Sequence, residues 1–542
     1  MRLNVLMLAV DDLRPVGSAF GEPEVLTPNI DKLAARATIF REAYVQASTC
    51  GVSRSSLLTS RRPDTTQVIR NEGCPFRTQP EHAKWVSLPQ HFRLQGFSTF
   101  GMGKVWHPNV CDGAAAGEHA DDWSSPYYHA PCISLGSIFN HTCYESYPGP
   151  LPEGPGGKVT SIYGNNTPGS AEDMPDGMIA ARAVSTLQEL ATRAGKADGD
   201  VAPFFLAVGL HKPHLPHIAP QEFFDLYPLD NVSLPDNASR HAPQGAPAGV
   251  WNGCGEFRSY HDVQQVCSAE HFSQSRPLSD ASTRLQRRAY YAAASFADAQ
   301  IGKVLGALET TGLANSTVVC LFGDHGWHVG ENNEWAKHTS MTWANRVPLL
   351  FAVPGGDGKV VSNSFAELVD IMPTLAELAG VSVPPRCAND QMSANSSSCT
   401  EGASLASAVL TQELHGASFT AGWGDRPSQG GGGKSAAFSQ WGFKKVAGVS
   451  RMGYNLYTHI QDTRGVASQV RYTEWVTYRS NSGKVPHGPE WQDDLTGIVE
   501  LYNRTGDLNE NANIATAPGM QGLVKELSNQ LHAGWRAVRP PL

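Results

Sequence analysis

The sequence of 542 residues contains no apolar run approaching the roughly 18 residues that a membrane-spanning helix needs. It also contains no tract of consecutive basic residues, and its formal net charge is −9. These absences predict a protein with no membrane span and with neither nucleic acid nor an anionic membrane as its partner. Because 41% of the residues are hydrophobic, the chain can still bury a large core, and its length favours two or more domains.

Zinc-binding patterns are absent as well. The ten cysteines include no Cys-x-x-Cys pair and form no tight cluster with histidine, which argues against a structural zinc site. Their spacing suggests short disulfide loops instead, although spacing alone does not settle the connectivity. The candidate pairs are Cys132 with Cys143, Cys254 with Cys267, and Cys387 with Cys399, and Cys50 is expected to be unpaired.

Seven Asn-x-Ser/Thr sequons accompany the cysteines and indicate a secretory route, with a lysosomal or extracellular destination. They begin at Asn140, Asn165, Asn231, Asn237, Asn315, Asn395 and Asn503. The first ten residues, however, are followed by Asp11 and Asp12 without a small-residue cleavage site, so we interpret them as a core strand. We therefore expect a signal peptide to be missing from this version of the sequence.

Apolar segments rich in Val, Leu and Phe predict the strands of a buried sheet. These strands cover 3–10, 97–105, 203–209, 317–323 and 347–353, while helical spacing covers 282–308 and 365–379. Strands that alternate with helices favour an α/β fold, with a mostly parallel sheet flanked by helices on both faces. The Pro- and Gly-rich stretch 225–280 is expected to be a surface insertion.

The pattern changes beyond residue 400. Short strands are predicted at 436–447, 470–478 and 498–502, followed by a closing helix at 519–532. We therefore expect an α/β catalytic domain over residues 1–405 and a smaller α+β domain with an antiparallel sheet over residues 406–542.

Polar clusters follow the predicted strands at their C-terminal ends, which is where ligands bind in open α/β sheets. They are Asp11 with Asp12, Lys104 with His107, His211 to His214, and Asp324 with His325 and Lys337. Carboxylates gathered at one edge repel one another unless a hard divalent cation lies between them, and oxygen ligands favour Ca²⁺ or Mg²⁺. Asp11, Asp12 and Asp324 are therefore candidate metal ligands. The alternatives are an Asp-Asp pair that caps a turn and loops that are simply solvated.

Cys50 opens a segment of hydroxyl-bearing residues in which Arg54 follows four positions later. On a helix that starts near Gly51, the helix N-terminus and the guanidinium can face one tetrahedral anion. Without Arg54, the ordinary interpretation of such a cysteine is a small buried residue at a helix start.

Basic residues are interleaved with the carboxylates around the same predicted edge. Lys104, Lys337 and Arg54 supply fixed positive charge where an anionic transition state would need it. His107 and His214 are the candidates for acid–base catalysis, because the unperturbed pKa of histidine suits proton exchange near neutrality. The alternative for each histidine is a buried residue whose hydrogen bonds are satisfied by the fold.

The segment Cys-Gly-Val-Ser-Arg at 50–54, continued by Leu-Thr-Ser-Arg-Arg-Pro-Asp-Thr-Thr at 58–66, resembles the type I, formylglycine-dependent sulfatases. That family carries Cys-x-Pro-Ser-Arg or Cys-x-Ala-Ser-Arg, and its cysteine is converted to formylglycine. Val52 stands where the family has Pro or Ala. The likeness to the iduronate-2-sulfatase branch extends over essentially the whole chain, through Asp-Asp-Leu-Arg-Pro at 11–15, Phe-Phe-Leu-Ala-Val-Gly-Leu-His-Lys-Pro-His at 204–214, Asp-His-Gly-Trp at 324–327 and Arg-Tyr-Thr-Glu-Trp-Val at 471–476.

The resemblance implies an alkaline-phosphatase-like fold and the hydrolysis of sulfate esters through a hydrated formylglycine and a covalent sulfoenzyme. It implies that Ca²⁺ is held by Asp11, Asp12, Asp324, His325 and the modified Cys50. It implies further that Arg54, Lys104 and Lys337 hold the sulfate, that His214 and Lys337 serve the leaving group, and that His107 is the base that releases sulfate. A formylglycine-generating enzyme is the implied maturation partner.

The implied substrate is a sulfated sugar, and the branch points to a 2-O-sulfated uronate in a glycosaminoglycan-like glycan. Arg451 is a candidate contact for the uronate carboxylate, with a solvated surface arginine as the alternative. Two other functions stay open: a phosphodiester or phosphonate hydrolase of the same superfamily, and a non-catalytic relative that binds sulfated glycans if Cys50 is not converted.

Overall fold

The fold is that of a computed structural model, which describes residues 2–71, 84–107, 121–130, 162–163, 171–196, 202–236, 238–356, 358–410, 434–446, 449–461, 465–479, 488–491 and 498–538. The strands are β1 Asn4–Val10, β2 Thr38–Tyr44, β3 Ser98–Gly103, β4 Ile162–Tyr163, β5 Phe204–Leu210, β6 His217–Ile218, β7 Thr317–Gly323, β8 His328–Val329, β9 Trp335–Ala336, β10 Leu349–Ala352, β11 Val360–Glu367, β12 Ala436–Val446, β13 Val449–Gln461, β14 Ala467–Arg479, β15 Gly488–Glu490 and β16 Val499–Asn503. The α-helices are α1 Pro28–Ala34, α2 Cys50–Thr59, α3 Pro63–Thr66, α4 Leu88–Leu94, α5 Pro175–Lys196, α6 Gln221–Asp225, α7 His261–Ala269, α8 Asp280–Thr310, α9 Thr342–Asn345, α10 Ile371–Leu378, α11 Asp390–Asn395, α12 Ala406–Leu410 and α13 Gln521–Ala533.

The larger sheet has the strand order β11-β2-β10-β7-β1-β5-β3. All neighbouring pairs in it are parallel except those of β10, which runs antiparallel to β2 and to β7. The prediction of a mostly parallel α/β sheet is therefore confirmed. Among the described residues, no helix combines the length and the apolar character needed to cross a bilayer.

Strand β1 lies at the centre of this sheet and separates two hydrophobic cores. Its side chains alternate, so that Leu6 and Leu8 enter the core that contains α5 and α8, while Val5 and Met7 enter the core that contains α2 and α10. Because both faces are covered, the strand needs apolar residues at every position, which explains its unbroken run of Val, Leu and Met.

The register of the three central strands decides where the polar clusters lie. Val10 is opposite both Leu210 of β5 and Gly323 of β7, so all three strands end at the same level. The residues that follow each strand therefore meet at one edge of the sheet. Gly103 at the end of β3 has φ +72°, and a Cβ there would lie 2.0 Å from the Gly209 carbonyl oxygen, so only glycine permits this close approach.

The helix predicted at 365–379 is partly wrong. Residues 365–367 continue β11, and α10 begins only at Ile371. The apolar run contains both elements, and Asp370 separates them because its carboxylate accepts the backbone N–H of Glu367 at 2.8 Å. Hydrophobicity alone does not distinguish a buried strand end from a buried helix start.

The C-terminal part forms a second sheet in which β12, β13, β14 and β16 pair antiparallel, and α13 packs against it. The antiparallel sheet and the closing helix are confirmed, and β12 and β16 lie within one residue of their predicted bounds, but the strand predicted at 470–478 was too short and β13 was missed. The middle of β13 is buried on both faces, so its sequence lacks the alternation that would identify a half-buried strand. The domain division at residue 405 stays a prediction, and residues 411–433 lie outside the described part.

One of the three expected disulfides is present, between Cys387 and Cys399. Cys254 and Cys267 are thiols in the structure, so the loop predicted between them is not closed there. The pair at 132 and 143 lies outside the described residues.

His217 in β6 is fully buried among aromatic rings. Its ring centroid lies 5.7 Å from that of Phe257, 5.7 Å from that of Tyr290 and 5.9 Å from that of Trp327. Neither ring nitrogen has a hydrogen-bond partner among the described residues. Burial in these surroundings lowers the pKa of His217 to about 3.

This buried histidine makes the fold sensitive to acid. Its folded-state pKa lies below that of the unfolded chain, so the unfolded state binds the proton first and stability falls as the pH drops below the unfolded value. Between about pH 7 and pH 5 we expect this residue to remove about 2 kcal/mol of unfolding free energy. Urea unfolding of the wild type and of a His217→Phe variant at both pH values measures this effect. The decrease in unfolding free energy from pH 7 to pH 5 should be smaller in the variant by about 2 kcal/mol. An identical pH dependence in the two proteins would contradict this account.

Candidate active site

The predicted site residues meet at the edge where the central strands end. Asp11 and Asp12 follow β1, Lys104 and His107 follow β3, His214 follows β5, Asp324 and His325 follow β7, and Lys337 follows β9. Cys50 is the first residue of α2, and Arg54 lies one turn further along it. The side chains of Asp11, Asp12, Cys50, Arg54, Lys104, Asp324, His325 and Lys337 are all at most 1% exposed.

Asp11 is surrounded by positive charge. The Lys104 ammonium forms an ion pair with Oδ2, and an Arg54 Nη atom lies 3.3 Å from Oδ1. Burial alone would raise the pKa of Asp11, but the neighbouring cations, led by Lys104, lower that pKa well below its usual value. Asp11 is therefore a fixed carboxylate anion at the centre of the site.

Arg54 binds protein groups with each of its guanidinium nitrogens. Nε donates to Asp324 Oδ2 at 2.8 Å, Nη2 faces Asp11, and Nη1 donates to the carbonyl oxygens of Lys104 and Val105. Asp324 Oδ1 in turn accepts the backbone N–H groups of Asp12 and His325, each at 2.9 Å. Arg54 and Asp324 thus hold together the loops after β1, β3 and β7.

Lys337 connects Asp12 with position 50. Its ammonium lies 2.8 Å from Asp12 Oδ1 and 3.3 Å from Cys50 Sγ. Burial would lower the pKa of Lys337, but Asp12, Cys50 and Glu256 raise it well above its usual value. The ammonium is therefore a permanent charge beside Cys50.

His325 directs its Nε2 atom towards Cys50. Its Nδ1 lies 3.1 Å from the carbonyl oxygen of Gly326, and because a carbonyl can only accept, Nδ1 carries the hydrogen. Nε2 then faces Cys50 Sγ at 3.1 Å and Asp12 Oδ1 at 3.3 Å. With Nδ1 donating to this carbonyl, Nε2 is the nitrogen that would bind a metal ion.

Cys50 itself is a poor nucleophile in this setting. Burial raises the pKa of its thiol to about 12, although Lys104 and Lys337 oppose the shift. The thiolate is the reactive form of cysteine, so an unmodified Cys50 is inert at neutral pH.

The two candidate histidines differ in their surroundings. Burial, followed by the charge of Lys104, lowers the pKa of His107 well below its usual value, which keeps the ring neutral and able to accept a proton. Burial and Lys337 lower the pKa of His214 in the same way. The His214 loop is fixed by Asp176, whose carboxylate accepts the backbone N–H groups of His211 and Lys212, each at 2.8 Å.

Glu256 is a site residue that the sequence did not reveal. It lies in the stretch that was expected to be a surface insertion, yet its carboxylate is 3.0 Å from Lys337 Nζ and 3.6 Å from His214 Nε2. Because it follows a Pro- and Gly-rich segment and no predicted strand, no pattern pointed to it. The local sequence Gly-Cys-Gly-Glu-Phe contains a single acidic residue, and such a pattern does not predict a functional site.

Arg451 lies on the second sheet, opposite Lys444 of β12. An Nη1 atom of Arg451 donates to the Trp475 carbonyl oxygen at 3.4 Å, and the side chain is half-buried. Lys444 reaches Asn252 Oδ1 at 2.5 Å, and Asn252 Nδ2 donates to the Lys337 carbonyl at 3.4 Å. The second sheet is therefore linked through Asn252 to the loop that carries Lys337, but the contact predicted for Arg451 stays a prediction.

The donor set fits a divalent cation. Ligand atoms of Asp11, Asp12, Cys50 and His325 all lie within 4.8 Å of one another and are buried. Asp324 lies beside this set and forms an ion pair with Arg54. The two carboxylates suit a hard cation, whereas the sulfur does not, so an oxygen-bearing side chain at position 50 would complete a set suited to Ca²⁺.

Comparison with known proteins identifies the family. The profile of the family described as Sulfatase matches residues 3–381. The chain is 35% identical over 420 residues to iduronate 2-sulfatase of Homo sapiens, covering 71% of this chain and 70% of the relative. It is 32% identical over 519 residues to iduronate 2-sulfatase of Mus musculus, covering 88% of this chain and 85% of the relative.

Solved structures support the same fold. A 2-O glycosaminoglycan sulfatase superposes with a TM-score of 0.61 at 18% identity, covering 100% of this chain and 95% of the other. The phosphonate monoester hydrolase of Agrobacterium radiobacter superposes with a TM-score of 0.61 at 16% identity, covering 99% and 96%. The predicted alkaline-phosphatase-like fold is therefore confirmed. From the extent of the family match and the relatives at more than 30% identity, this chain belongs to the sulfatase family and is a sulfuric ester hydrolase.

Proposed function

We propose that this sulfatase removes sulfate from a sulfated sugar, specifically a 2-O-sulfated uronate in a glycosaminoglycan-like glycan, with formylglycine at position 50. The observation that carries the proposal is the buried cluster of Cys50, Lys104, Lys337 and Arg54 around Asp11 and Asp12. The relatives named iduronate 2-sulfatase support the sugar class.

Formylglycine at position 50 would supply, as its hydrate, an oxygen nucleophile that the buried thiol does not provide. Lys104 and Lys337 are fixed ammonium groups beside this position and would bind the sulfate oxygens. The role of Arg54 is to hold Asp11 and Asp324 in place, because its donors are directed to protein groups. The overall reaction breaks the bond between sulfur and the ester oxygen and adds the elements of water.

A divalent cation, Ca²⁺ by the oxygen chemistry of the donors, would be held by Asp11, Asp12, His325 and the modified residue at position 50, with Asp324 adjacent. It would supply positive charge that polarises the oxygens bound to it. Without it, the carboxylates of Asp11, Asp12, Asp324 and Glu256 outnumber the cationic groups of Lys104, Lys337 and Arg54 by one. A divalent cation reverses the sign of this net charge, which suits an anionic ester.

The remaining side chains take the roles that the family resemblance implies. His107 is neutral and adjacent to Lys104, as a base that accepts a proton during sulfate release must be. His214 and Lys337 would serve the leaving group, and Arg451 on the second sheet would contact the uronate carboxylate.

Maturation requires a formylglycine-generating enzyme as a partner. All ten residues of α2 are buried in the folded protein, so a converting enzyme can reach Cys50 only before folding. The secretory route, to a lysosome or to the outside of the cell, is supported by the Cys387–Cys399 disulfide and by the exposed sequon residues Asn231, Asn315 and Asn395.

Mass spectrometry of the tryptic peptide 42–54 from the mature protein tests the proposal. Conversion oxidises the –CH2–SH group of Cys50 to an aldehyde, with loss of the sulfur and two hydrogens and gain of one oxygen, and we expect the converted protein to release sulfate from a disaccharide with a 2-O-sulfated uronate. An unmodified thiol would instead favour the non-catalytic glycan-binding alternative, which Val52 motivates. A converted protein that releases no sulfate from any sulfated disaccharide would contradict the proposed substrate class.

A phosphonate or phosphodiester hydrolase is the second candidate, because the phosphonate monoester hydrolase matches the fold as well as the sulfatase does. Sulfate and phosphate esters of one aryl alcohol separate the two. We expect kcat/KM to be higher for the sulfate, and the opposite preference would favour the second candidate.

A further inference from the structure

The segment Gly255–Ser259 brings Glu256 to the side of the site that faces Lys337 and His214. The Glu256 side chain is 24% exposed, which makes it more accessible than the Lys337 side chain at 1% and the His214 side chain at 12%. Glu256 therefore lies at the rim of the pocket, between solvent and the buried cluster.

Lys337 is held between two carboxylates. Its ammonium is 2.8 Å from Asp12 Oδ1 on the inner side and 3.0 Å from Glu256 Oε2 on the outer side. A lysine side chain has several rotatable bonds, so one carboxylate would leave it free to turn about that contact, whereas two fix the ammonium. The fixed position is 3.3 Å from Cys50 Sγ, the atom at which the nucleophile is expected.

His214 lies beside the same carboxylate, and its ring is oriented by its own loop. Its Nδ1 lies 2.6 Å from the Leu215 carbonyl oxygen, so Nδ1 carries a hydrogen and Nε2 is the nitrogen available to a substrate. Nε2 lies 3.6 Å from Glu256 Oε1. Glu256 thus faces Lys337 with one oxygen and His214 with the other.

Asp12, His214 and Glu256 also offer ligand atoms within 4.8 Å of one another, as a metal site would. The Lys337 ammonium, however, already pairs with two of the three. A second metal ion is therefore unnecessary to balance this cluster, because the ammonium provides its cation.

We propose that Glu256 is a positioning residue for the leaving-group side of the reaction: it fixes the Lys337 ammonium next to position 50. This inference rests on the proposed function, because it assumes that Lys337 meets the ester oxygen that leaves sulfur. Glu256 acts through Lys337 and does not itself bind the sulfate, whose negative charge it would repel.

The test is a double-mutant cycle on the formylglycine-containing protein, with sulfate release from the sulfated disaccharide as the readout. We expect Glu256→Gln to lower kcat by about 10- to 100-fold while KM changes less than about threefold, as for other residues that orient a catalytic group. In the Lys337→Ala background, Glu256→Gln should cause no further loss. Glu256→Asp, which keeps the charge, should recover part of the activity.

Glu309→Gln is the matched control, because Glu309 pairs with Lys32 and Arg36 on the surface and should leave kcat unchanged. The proposal is overturned if Glu256→Gln retains wild-type kcat or if its loss multiplies with that of Lys337→Ala. Failure of the proposed function is distinguishable, because then the wild type itself releases no sulfate. Equal formylglycine content in all variants, measured by mass, ensures that the comparison concerns positioning and not maturation.

Discussion

Replacing Cys50 with alanine is expected to lower sulfate release by at least about 10⁴-fold, because it removes the nucleophile and leaves only binding and charge stabilisation. The fold should tolerate the change, since the thiol accounts for little buried volume, and the cost in unfolding free energy should be about 1 kcal/mol. Sulfate release by the wild type and the variant at saturating disaccharide measures the first effect, and urea unfolding measures the second.

Cys320→Ala is the matched control for this experiment. Cys320 is a fully buried thiol in the middle of β7, and its side chain enters the core that contains α2. We expect a similar loss of stability with no loss of sulfate release. If Cys50→Ala retained wild-type activity, position 50 would not carry the nucleophile and the proposed chemistry would be wrong.

Replacing Arg54 with alanine is expected to damage both stability and activity. The guanidinium is fully buried, pairs with Asp11 and Asp324, and binds two carbonyl oxygens after β3. Its removal leaves carboxylates buried without their partner, which costs about 3–5 kcal/mol of unfolding free energy. Sulfate release should fall with it, because the loops after β1, β3 and β7 lose their common contact.

Arg54→Lys separates charge from geometry. It keeps a positive charge in the cluster but cannot bind two carboxylates and two carbonyls at once, so we expect an intermediate loss in urea unfolding and in sulfate release. An Arg54→Ala variant that unfolds at the urea concentration of the wild type would contradict the role assigned to this residue.

The polar clusters at the strand ends show how much of the site could be predicted from local sequence. Apolar runs predicted β1, β5 and β7 to within one residue, and the residues after them, including Asp11 and Asp324, were predicted to lie close together before any register was known. This succeeded because parallel strands must end at a shared edge. Residues 365–379 and β13 were misjudged because full burial removes the periodicity on which such predictions depend.

The sequence by itself determined the α/β architecture, the family, and the side chains that converge on position 50. It could do so because strand-end placement is a local consequence of where an apolar run stops. Only the tertiary structure decided that Arg54 faces carboxylates and that Glu256 enters the site from a presumed surface insertion. Ion pairs between segments far apart in the chain depend on the paths of the loops. Packing and close backbone approaches set these paths, and neither leaves a periodic pattern in the sequence.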